Sequence, residues 1–72
     1  MNEQTIVDNE VYNVLSSLLN KLQGLAAYDK YVQDGGSSSS IFQELKQQDE
    51  QAARRLLEQL NQMAQQGKLQ AS

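Results

Sequence analysis

Apolar side chains recur every three or four residues along two stretches of the chain. The first runs Val11, Leu15, Leu18, Leu22, Leu25 and Val32, widened by Val14, Leu19 and Ala26. The second runs Phe42, Leu45, Ala52, Leu56, Leu60 and Met63. This spacing gathers the apolar members of each stretch on one side of an α-helix, since a turn takes 3.6 residues. Asp8 is a credible N-cap for the first, and Glu10 follows it in the first turn, where the helix dipole favours an acid. Thr5 is an alternative cap that would add Ile6 and Val7. Helix 1 is therefore predicted over about residues 7–33. Gly24 lies inside it at a cost of about 1 kcal/mol relative to Ala. Close approach of another helix would account for it.

The segment Asp34-Gly35-Gly36-Ser37-Ser38-Ser39-Ser40 interrupts the pattern, and its composition is that of a connection. Ser40 followed by Gln43 forms a capping box, so helix 2 is predicted over about residues 41–66, with Gly67 as its stop and a short tail to residue 72. Two helices of nearly equal length, roughly 39 Å each, joined by a short loop make an antiparallel hairpin. The expected fold class is all-α, a single helical-hairpin domain over 1–72. The helix 1 stripe spans roughly 160°, more than one neighbour covers, so a lone hairpin would leave Leu19, Val14 or Leu22 wet. Two hairpins packing into a four-helix bundle, most simply with two-fold symmetry, would cover them. The expected interface consists of Val11, Val14, Leu15, Leu18, Leu22, Leu25, Leu56, Leu60 and Met63.

Asp29 and Asp49 stand within these apolar stripes. A carboxylate on a buried face costs several kcal/mol unless it is paired, hydrogen-bonded or metal-bound. With the turn centred near residue 37, Asp29 is level with about residue 45, and Asp49 lies about one turn further from the loop. Together with Tyr28 and Tyr31 they are expected to form a buried polar group that sets how the bundle packs, with Lys46 one turn from Asp49 as a partner. A divalent-metal site using Asp29 and Asp49 is the weaker alternative. Di-iron bundles add Glu-x-x-His elements, and the position three before Asp49 is Lys46.

Composition narrows the chemistry. The 72 residues contain no Cys and no His, which removes thiolate ligands, the commonest metal ligand and the usual general base. Ser16, Ser17 and Ser37–Ser40 have nothing to activate them, and Gly35-Gly36 lacks the Lys and the strand of a phosphate loop. The net charge of −3 offers no basic stripe for nucleic acid or anionic membrane. Residues 1–34 carry five acids against Lys21 and Lys30, while the remainder is balanced. Glu50, Arg54 and Glu58 form an i, i+4 ladder, expected to be a solvated face. No long apolar run and no signal segment is seen, so the cytoplasm is the expected location. No enzymatic activity and no cofactor are expected. The expected partner is a second copy of the chain, with a partner amphipathic helix as an alternative.

The runs Leu25-Ala26-Ala27-Tyr28-Asp29-Lys30-Tyr31-Val32-Gln33-Asp34, Phe42-Gln43-Glu44-Leu45 and Gln48-Asp49-Glu50-Gln51-Ala52-Ala53-Arg54 resemble small bacterial helical-hairpin proteins. These look like one half of a ferritin-like, rubrerythrin-like four-helix bundle, and their function is largely unassigned. The resemblance implies bundle architecture and dimerisation, with Asp29 and Asp49 as remnants of a metal site. Ala26 stands where metal-binding members would carry an acid, and the histidine is missing.

Overall fold

The computed structural model describes residues 6–70. Two helices, α1 (Asn9–Asp34) and α2 (Ser39–Gln65), pack against each other as an antiparallel hairpin. Among the described residues there is no strand, only an isolated antiparallel bridge between Val7 and Gln70. No helix among them is long and apolar enough to cross a membrane.

Asp8 caps α1. Its backbone is extended, and its carboxylate accepts a hydrogen bond from the Glu10 N–H at 2.8 Å, satisfying one of the first-turn donors. The first helix thus starts at Asn9, and Val7 is not helical: it meets Gln70, closing the open end of the hairpin. The alternative cap, Thr5, lies outside the described residues. At the other end Gly35 takes φ 77°, a conformation only glycine adopts freely, and its N–H bonds Val32.

The second helix begins earlier than the capping-box signature indicates. The Ser39 N–H bonds the Gly36 carbonyl and the Phe42 N–H bonds that of Ser38, so Ser40 is already helical. A cap hydroxyl reaches back only from extended backbone, and Ser38, at the cap position, has φ −94° and ψ 0° and makes no side-chain cap bond. Four consecutive serines permit this shift. The C-terminus closes with two reversed bonds, Gly67 N–H to Ala64 and Lys68 N–H to Met63, the pattern of a Schellman motif around Gly67 at φ 72°.

The molecule measures 51 × 23 × 13 Å, two helices wide and one helix thick. Its radius of gyration is 15.7 Å, against about 11 Å for a compact domain of this length. A single layer buries little. Only Val11 (1% exposed), Met63 (2%) and Ala53 (8%) are buried among the described residues. Val11 and Met63 sit at the open end, and both are enclosed within the hairpin. They are therefore not available to an interface between hairpins, contrary to the expectation for these two residues.

Candidate functional site

Among the described residues, three ion pairs tie α1 to α2 and its tail. Lys46 Nζ lies 2.6 Å from Asp29 Oδ1, Lys21 Nζ lies 3.5 Å from Asp49 Oδ1, and Lys68 Nζ lies 2.7 Å from Glu10 Oε1. The acid comes from α1 in the first and third pairs and from α2 in the second. Sliding one helix past the other by a turn would mismatch them, so they specify the register. Pairs this exposed contribute little stability by themselves.

The two aspartates do not meet. Asp29 pairs across the hairpin with Lys46, at the level expected from helical rise. Asp49, one turn further from the loop, pairs with Lys21 rather than with Lys46. Asp49 also lies over Gly24, whereas Asp29 stands about 140° away around α1, on the opposite flank of the hairpin. Both carboxylates are thus engaged by ammonium groups. A metal ion held by both would have to displace two lysines and bridge two faces.

Nor are these groups buried in the single chain. The Asp29 side chain is 54% exposed and that of Asp49 23%. Tyr28 is half-buried and Tyr31 exposed. One layer of helices leaves these groups open to water, and the polar group expected to be buried in a bundle would need a second hairpin to cover it. The tyrosine rings instead close the loop end with Phe42: Tyr31 and Phe42 are 5.2 Å apart, Tyr28 and Phe42 6.2 Å, and the two tyrosines 6.1 Å, edge to face.

Contact with Asp29, as hydrogen-bond acceptor first and as opposite charge second, raises the Lys46 ammonium above its ordinary pKa. Glu10 does the same for Lys68, again through the hydrogen bond first.

The feature that remains uncovered is apolar. Leu19 is 55% exposed, Leu22 51%, Leu57 49% and Leu15 40%. Leu15, Leu19 and Leu22 follow one another at four- and three-residue spacing along one flank of α1. On the same side a groove of about 310 Å³ runs between the helices, floored by Leu18, Leu22 and Leu25 from α1 and by Ala53 and Leu57 from α2. Glu50 and Arg54 line it too, so two members of the ladder expected to be a solvated face border an apolar groove, with Glu50 half-buried and Arg54 exposed. A second depression, lined by Ala52, Arg55, Leu56, Glu58, Gln59 and Gln62, lies on α2 alone and is largely polar. Of the residues expected at an interface, Leu15 and Leu22 are exposed, while Val14, Leu18, Leu25, Leu56 and Leu60 are half-buried.

Sequence reasoning missed Lys21 and Leu57. Lys21 was findable: with Asp29 level with residue 45, Asp49 falls level with residue 25, one turn from Lys21. Leu57 gives no such signal, because it stands off the main stripe of α2. No protein-family model matches the chain, and neither curated proteins nor solved structures yield a match.

Proposed function

We propose that the chain is a non-enzymatic structural or interaction module that works by homodimeric helix packing, two hairpins joining into a four-helix bundle. The observation that carries this reading is the open leucine flank of α1, Leu15, Leu19 and Leu22, continuous with the groove that ends at Leu57. Domains are built from at least two packed layers, and this chain supplies one. Its accessible surface is 5317 Å², against about 4500 Å² for a compact monomer of its mass. The sequence resemblance to small helical-hairpin proteins, if it reflects descent, implies the same architecture.

The test is replacement of Leu19 and Leu22 by Glu, followed by light scattering behind size exclusion. Wild type is expected to elute as a dimer and the double variant as a monomer with reduced helicity. Equal masses for the two proteins would refute the leucine flank as the contact. A monomeric wild type that recovers a larger mass only with a foreign amphipathic helix would favour the adaptor reading instead.

A further inference from the structure

The groove wall carries a signal about which way the second copy faces. Glu50 and Arg54 both line it, from the same helix and one turn apart. Among the described residues neither forms an ion pair, although Glu50 lies close enough to Lys46, one turn before it, to act on that ammonium. An acid and a base so placed are complementary to themselves: in a two-fold contact with α2 laid antiparallel on its copy, each Glu50 faces the partner's Arg54, and the reverse. The contact then occurs twice, and it places the axis level with residue 52 of α2.

The register of the hairpin places that axis on α1 as well. Asp49 lies over Gly24 and Lys46 pairs with Asp29, so residue 52 of α2 is level with about residue 22 of α1. Leu22 is the half-exposed leucine found there. Beside it on α2 is Ala53, whose small side chain leaves room for close approach.

Resting on the dimer reading above, we infer that two hairpins pack groove to groove about a two-fold axis through Leu22, with α1 on α1 and α2 on α2 antiparallel, and that reciprocal Glu50–Arg54 pairs select this register. A foreign helix would have to present the same reversed charge order to fit as well. Like charges facing each other across the axis exclude the alternatives more than the pairs add affinity.

Charge exchange tests this directly. Glu50→Arg alone sets two guanidinium groups against each other at both copies of the contact, and Arg54→Glu alone sets acid against acid at both. Each single variant is expected to be monomeric at a concentration where wild type is dimeric. An equimolar mixture of the two is expected to form a heterodimer, and the double variant E50R/R54E to recover the homodimer. A single variant that folds poorly alone but gains helicity on mixing supports the proposal equally. Because the chain has no Cys, Leu22→Cys adds a second readout: it should oxidise to a dithiothreitol-sensitive dimer, while Gln59→Cys, on the other flank, should not. A dimeric wild type whose charge variants neither dissociate nor prefer each other, or whose two cysteine variants cross-link alike, overturns the register but leaves the dimer. A wild type that stays monomeric overturns both.

Discussion

Asp49 lies directly over Gly24, its Oδ2 atom 3.3 Å from where a β-carbon on that glycine would stand. The same carboxylate reaches Lys21 at 3.5 Å. A residue that weakens a helix thus occupies the one turn of α1 over which the opposing acid folds down to find its cation. Close approach is its role, and the approaching group is a side chain.

Gly24→Ala is expected to stabilise the hairpin, by up to about 1 kcal/mol, because the gain in helix propensity exceeds the few tenths of an ångström that a short, rotatable carboxylate must yield. Gly24→Leu, which occupies the space outright, is expected to expel Asp49 and lower the melting temperature. Thermal melts followed by circular dichroism distinguish the two. Destabilisation by Ala as large as by Leu would show that Asp49 cannot move.

The raised pKa of Lys46 sets the sign of a pH effect. A cation whose pKa is higher folded than unfolded stabilises fully below its unfolded value, and the contribution disappears as pH rises through the folded one. The melting temperature of Lys46→Met should therefore lie below that of wild type throughout the neutral range. The gap should close only above the ordinary lysine pKa of 10.5. Because a pair this exposed contributes little, the gap is expected to be small, and one that closes below that value or widens in base would contradict the Asp29 contact as its source.

Met63 is almost completely buried, as very few side chains among the described residues are. Its replacement by Ala is expected to cost about 2–5 kcal/mol. Ile41, 55% exposed and outside the groove, should tolerate Ala at a cost under about 1 kcal/mol. Denaturant midpoints at fixed protein concentration give both numbers. Equal losses at the two positions would mean that the core does not sit at the open end.

Both helices and their antiparallel pairing were legible because an apolar period of 3.6 survives over more than six turns, and because glycine and serine mark the break. The level of Asp29 against residue 45 followed from helical rise alone. Which lysine each aspartate takes was not legible in the same way. It depends on the rotation of each helix about its own axis, which decides the flank on which Asp49 and Asp29 emerge. The capping-box spacing points to Ser40, but four serines in a row offer four similar hydroxyls, and the backbone settles the cap at Ser38. Val7 and Gln70 form a single bridge, too short to leave any periodic trace. The open flank was partly visible: Leu19 and Leu22 are wet as their wheel positions require, whereas Val14 turns far enough inward to be half-buried.

The most direct measurement is the molar mass of the wild-type chain in sedimentation equilibrium at micromolar concentration. A mass twice the 8.1 kDa of the chain, with a melting temperature that rises with concentration, is the expected result. A well-folded 8.1 kDa monomer whose melting does not depend on concentration would contradict the proposal that this hairpin works by pairing with itself.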